Sequence, residues 1–135
     1  LLFGDTDPDC VAAALDAVWG DDETLIVVST DLSHYRDYAT ARDIDARTSG
    51  AILRLRPEAI GWDQACGRTG VCGLLAAAAR HGLHPVLADL RSSGDTAGPR
   101  DRVVGYGAFL FQARPAPDAT PPGSSSAAGG VGART

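Results

Sequence analysis

The chain has 135 residues, 44% of them hydrophobic and 21% charged, with a formal net charge of -5. That length and apolar fraction fit one modest core rather than a disordered chain, and an acidic balance without a clustered basic surface argues against a nucleic-acid partner. No apolar run approaches the ~20 residues of a membrane helix and no signal-peptide pattern opens the chain, so no membrane partner and a soluble, cytoplasmic protein are expected.

The opening Leu1-Leu2-Phe3-Gly4, without an initiator methionine, reads as the end of a strand already begun, and a fragment is expected. Asp7 then offers an N-cap with Pro8 at the first helical position, and Val11, Leu15, Val18 and Trp19 follow the spacing of one buried stripe up to Gly20. Thr24-Leu25-Ile26-Val27-Val28-Ser29 is a nearly continuous β-branched run, the pattern of a central parallel strand buried on both faces. Ala41, Ile44, Thr48, Ile52 and Leu55 predict a second helix from about Asp37, ended before Pro57. A third helix is expected from Gly70 or Val71 to Gly82, burying Val71, Leu74, Leu75 and Ala78. Pro85 to Leu90 reads as a strand, Ser92 to Pro99 as a turn and Val103 to Phe111 as a closing strand. This order favours an α/β fold, a partial sheet covered by helices, over residues 1–112. Residues 113–135 hold four prolines and four glycines without apolar periodicity and are expected to form a disordered tail.

Chemistry concentrates in Val28-Ser29-Thr30-Asp31-Leu32-Ser33-His34-Tyr35, where a carboxylate, hydroxyls and an imidazole follow the expected strand. Ligands bind at such strand ends in open α/β sheets. Asp31 and His34 could bind a metal, or Asp31 could orient His34 as a general base. The alternative is a capping turn in which Thr30 or Asp31 starts the next helix and His34 is an ordinary surface residue. Cys66, just before the third helix and beside Arg68, is either a reactive thiolate and soft metal ligand or an inert cysteine. Cys10 and Cys72 read as core residues, and three cysteines without zinc-knuckle spacing fit a reducing compartment. His81 and His84 flank a helix end and read as meeting carbonyls or solvent.

In order along the chain, Ser29-Thr30-Asp31-Leu32-Ser33-His34-Tyr35, Ala65-Cys66-Gly67-Arg68, Ser92-Ser93-Gly94-Asp95-Thr96-Ala97-Gly98 and Val103-Val104-Gly105-Tyr106 resemble the Memo-like family, known in bacteria and archaea as the AmmeMemoRadiSam system protein B. The resemblance implies a fold similar to the class III extradiol dioxygenases. It also implies a pocket in which two histidines and a cysteine bind copper or iron. Cys66 matches the cysteine, as a metal ligand, and Asp31 and His34 match the polar, catalytic wall. Thr30 replaces a second serine, and Gly70-Val71 stands where the family has Pro-Ile. None of His34, His81 or His84 matches the two family histidines, which belong to an N-terminal half expected as the missing partner. The resulting expectation is a contribution to a metal-dependent redox pocket. The alternative is a non-catalytic module that receives a peptide or a small molecule.

Overall fold

The computed structural model describes residue 4, residues 6–21 and residues 23–113. Ala113, expected to open the disordered tail, instead ends the last strand, and the rest of that tail and the opening residues 1–3 lie outside the described residues. The first helix, α1 (Pro8–Ala17), starts as its sequence dictates, with the Asp7 side chain accepting from the Asp9 N–H. Val11, Ala12 and Leu15 form its buried stripe. Val18 departs from expectation, since α1 ends at Ala17 and leaves Val18 exposed. Cys10 is exposed rather than core, on a part of the helix turned away from that stripe. The second helix, α2 (Tyr38–Leu53), is capped by Asp37, whose carboxylate accepts from the Thr40 N–H. This overturns the capping-turn alternative for Thr30 and Asp31. The third helix, α3 (Arg68–Arg80), begins two residues earlier than the apolar spacing predicts, and its Val71, Cys72, Leu75 and Ala78 are buried while Leu74 is half-buried.

The sheet has three strands: β1 (His34–Arg36), β2 (Leu83–Ser92) and β3 (Val103–Ala113), in the spatial order β1-β3-β2. Both pairings are antiparallel. Phe109 and Phe111 of β3 pack with Ala51 and Ile52 of α2 and with Val71, Cys72 and Leu75 of α3 in one core cluster. Val11, Ala12 and Leu15 of α1 pack with Ala77 in a second. The α/β class is as read from the sequence, but the parallel arrangement is not. Thr24–Ser29 belongs to no strand among the described residues. A parallel strand needs ladder partners on its edges, and the three described strands pair only with one another. β1, too short and polar for the pattern to reveal, was not expected, and β2 and β3 both outrun their apolar runs.

Candidate metal centre

The candidate centre is built on residues 30–34, which lead into β1, and on the loop entering α3. Leu32 and Ser33 clamp this turn to β3: the Leu32 N–H donates to the Gly105 carbonyl at 2.9 Å, and the Gly105 N–H donates to the Ser33 carbonyl at 2.8 Å. Beneath the clamp, the Ser33 N–H donates to Oδ1 of Asp45 at 2.9 Å. Asp45 lies on α2 and is only 3% exposed. Burial pushes its carboxyl above the ordinary aspartate value, while hydrogen bonding from Ser33 and the charge of His34 oppose that shift. The position opposite must be glycine. A Cβ on Gly105 would stand within 2.8 Å of Asp45 Oδ1 and closer still to Oδ2.

The second wall is tied to the first by backbone and side chain together. The Cys66 N–H donates to the Asp31 carbonyl at 3.3 Å, and the Asp31 N–H donates to Cys66 Sγ at 3.3 Å. The Gly67 N–H donates to Thr30 Oγ1 at 2.8 Å. Such close approach excludes a side chain at Gly67, whose Cβ would meet Thr30 Cβ at 2.8 Å. These bonds bring one donor atom each of Asp31, His34 and Cys66 within 4.8 Å of one another. His34 Nε2 lies 3.4 Å from Asp31 Oδ2. Asp31 and His34 are half-buried and Cys66 is exposed, so the donors are reachable from solvent. A carboxylate oxygen, an imidazole nitrogen and a thiol sulfur form a donor set that suits a transition metal better than calcium or magnesium. Three such ligands leave positions open for others.

The three residues singled out in the sequence thus meet, although the route differs. The segment expected to deliver Asp31 has no ladder among the described residues, and the Gly105 clamp does that work instead. Arg68 makes its contacts away from the sulfur: its Nε donates to the Ile60 carbonyl at 2.6 Å and its guanidinium lies 4.3 Å from the centre of the Trp62 ring. Cys72 is fully buried, its thiol pushed up by burial and directed to the Pro57 carbonyl. His81 joins neither metal nor helix carbonyl through its ring; it stacks on Trp19 at 3.8 Å and lies 2.9 Å from Asp16 Oδ1. His84 Nδ1 is buried without a hydrogen-bond partner among the described residues. Sequence reasoning missed Asp45, although its place between Ala41 and Thr48 on the buried face of α2 was a readable signal. It also missed Tyr35, which takes a positive φ of 55° and sets its ring edge toward His34 at 5.7 Å. A bulky residue in that conformation points to local constraint beside the centre.

Fold and centre together define an α/β protein with a mixed oxygen, nitrogen and sulfur donor cluster where the chain enters β1. The chain belongs to the Memo-like protein family, whose model matches residues 2–110. It is similar to MEMO1 family proteins of Methanosarcina acetivorans, at 29% identity over 96 residues, and of Aquifex aeolicus, at 29% over 104 residues. A third relative, from Methanosarcina mazei, is 28% identical over 96 residues. These matches cover 65%, 72% and 65% of this chain but only 36%, 39% and 36% of the respective relatives. The chain therefore spans little more than a third of the length of the curated relatives it matches.

Proposed function

We propose that this chain contributes Asp31, His34 and Cys66 to a metal-binding redox pocket that takes copper or iron. The observation that carries the reading is the convergence of the three donor atoms within 4.8 Å, held by reciprocal hydrogen bonds between Asp31 and Cys66. Copper or iron bound there supplies one-electron redox chemistry. Cys66 offers the soft donor and His34 the borderline one. Asp31, whose Oδ2 lies 3.4 Å from His34 Nε2, offers the carboxylate donor of the set. Asp45 and Gly105 keep the turn in place from behind.

Under this proposal the remaining ligands are two histidines from an N-terminal half of the same domain, and the complete domain has the extradiol dioxygenase-like fold that the family resemblance implies. A cytoplasmic setting belongs to the same reading, because a working thiolate needs a reducing compartment. The chain alone binds the metal weakly, since a stable site needs more preorganised ligands than one chain of three supplies. Anaerobic titration with Cu(I), and separately with Fe(II), against a chromogenic chelator tests the proposal. Binding should fall on Asp31→Ala, His34→Ala and Cys66→Ser and survive Cys10→Ser. Equal loss on Cys10→Ser and none on Cys66→Ser would contradict it. The alternative, a non-catalytic module for a peptide or small ligand, would gain from metal-independent ligand binding without Cys66-dependent consumption of an oxidant.

A further inference from the structure

Two hydrogen-bond donors among the described residues reach the sulfur of Cys66. The Asp31 N–H donates to it at 3.3 Å, and Thr30 Oγ1 lies 3.6 Å from it, within the longer reach of sulfur. Thr30 is held against the entry to α3 by the Gly67 N–H, which donates to its Oγ1 at 2.8 Å. Glycine makes this approach possible, since a Cβ at Gly67 would stand 2.9 Å from that hydroxyl and 3.2 Å from the Ser29 carbonyl. Arg68 is turned to Ile60 and Trp62, so the two donors, and not its guanidinium, face the sulfur.

The Thr30 hydroxyl has a single proton and two places to put it. Gly67 engages its acceptor side, and the proton can go to the Asp31 carbonyl at 2.7 Å or to Cys66 Sγ at 3.6 Å. While Cys66 is a thiol its sulfur is a weak acceptor, and its own S–H can donate to the Asp31 carbonyl at 3.9 Å or to Thr30 Oγ1. The carbonyl oxygen is then the better acceptor for the hydroxyl. A cysteine that ligates a metal has given up its proton, so its sulfur can only accept. A charged acceptor makes hydrogen bonds about twice as strong as a neutral one. Rotation about the Thr30 Cβ–Oγ1 bond then carries the hydroxyl proton to the sulfur without moving a heavy atom. The Asp31 carbonyl keeps the Cys66 N–H at 3.3 Å, so the rotation strands no acceptor.

We propose that Thr30 is a positioning residue of the Asp31–His34–Cys66 centre: its hydroxyl donates to the Cys66 sulfur when that sulfur ligates a metal and, with the Asp31 N–H, fixes the direction of the sulfur and draws electron density from it. The inference rests on the metal-binding reading above and adds a residue that tunes the same site. Hydrogen bonds around a ligating cysteine sulfur set the electronic character of the metal it holds. A sulfur with two donors parts with its electrons less readily than a sulfur with one. Serine in place of Thr30 keeps the hydroxyl and the role, whereas valine keeps the shape and loses the role.

Anaerobic titration with Co(II) tests it, on the 135-residue chain with Cys10→Ser as the background and at one fixed pH, read through the thiolate-to-metal absorption band. Co(II) stands between Fe(II) and Cu(II) in the affinity order of such sites. The band should form in the background chain and vanish in Cys66→Ser. Thr30→Val should move the band at saturating Co(II) to lower energy, because the sulfur is left richer in electrons. It should also weaken Co(II) binding on the order of three- to tenfold, the worth of one hydrogen bond. Thr30→Ala, which lacks the hydroxyl without adding a methyl, should move the band in the same direction, and Thr30→Ser should restore both its position and the affinity. A Thr30 that only holds the loop through Gly67 predicts weaker binding with the band unmoved, and that result would overturn the proposal. So would a shift in Thr30→Ser as large as in Thr30→Val. A band that persists in Cys66→Ser, or that never forms, would instead overturn the metal-binding reading itself, and this inference with it.

Discussion

Replacing Gly105 with alanine attacks the clamp that holds the candidate centre on the sheet. The new Cβ would press on the Asp45 carboxylate, within 2.8 Å of Oδ1. The β3 backbone is poorly placed to retreat, because Gly105 carries hydrogen bonds to both Leu32 and Ser33. Forcing a carbon into a packed site costs about 1–3 kcal/mol. Displacing Asp45 also breaks the bond it accepts from the Ser33 N–H, and a hydrogen bond to a charged group is worth about 1.5–3 kcal/mol. The expected loss is therefore about 2.5–6 kcal/mol, a fall in melting temperature on the order of 10–25 °C for a domain of this size. Thermal and urea unfolding followed by circular dichroism would measure it. Asp45→Ser frees the space that the new methyl needs, so the double variant should lose less than the sum of the singles by about 1–3 kcal/mol. Additive losses, or a Gly105→Ala variant as stable as the parent, would refute the steric argument.

Burial raises the Asp45 carboxyl, so the folded chain holds that proton to higher pH than the unfolded one. Its contribution to stability is greatest below the ordinary aspartate range and declines as pH rises from there through the raised folded value. Asp45→Asn keeps an acceptor for Ser33 and does not ionise. Its melting temperature relative to the parent should rise across that window, and parallel profiles would contradict the assignment. Asp95 is shifted the other way, chiefly by the hydrogen bond from the Tyr38 hydroxyl and then by the Ser92 N–H. The stability it lends is present above the ordinary aspartate range and lost as pH falls through its lowered folded value. In Tyr38→Phe an NMR titration should show the Asp95 carboxyl moving upward, and an unmoved curve would remove Tyr38 as the cause. His81→Ala should loosen α1 from α3 by about 0.5–1.5 kcal/mol, the usual worth of a stacked pair, through loss of the Trp19 stack. Urea midpoints would show the change, and none at all would mean the stack contributes nothing.

The helices were legible because their signals are local. Asp7 caps as read, the second helix starts beside the Asp37 at which it was expected, and the apolar spacing of α2 and α3 locates their buried faces. Thr24–Ser29 was misread because a continuous apolar run reports that a segment will be covered, not which strands cover it. The convergence of Asp31, His34 and Cys66 was expected from the general placement of sites at strand ends. The agents that produce it were hidden, since the Gly105 clamp and the Asp31–Cys66 bonds join residues far apart in sequence. Asp45 went unnoticed for the opposite reason. It shares the buried face of α2 with Ala41, Thr48, Ser49 and Ile52, and an acidic residue there reads as an interruption rather than as a support.

The central claim is that Cys66 and His34 hold one metal between them. Metal-edge X-ray absorption on the chain loaded anaerobically with Cu(I) tests it most directly, with Cys10→Ser as the background so that the other exposed thiol cannot contribute. The account predicts one sulfur scatterer and at least one imidazole nitrogen, with the sulfur lost in Cys66→Ser and the imidazole lost in His34→Ala. A sulfur shell that persists without Cys66, or a metal bound through light atoms alone in the parent, would contradict it.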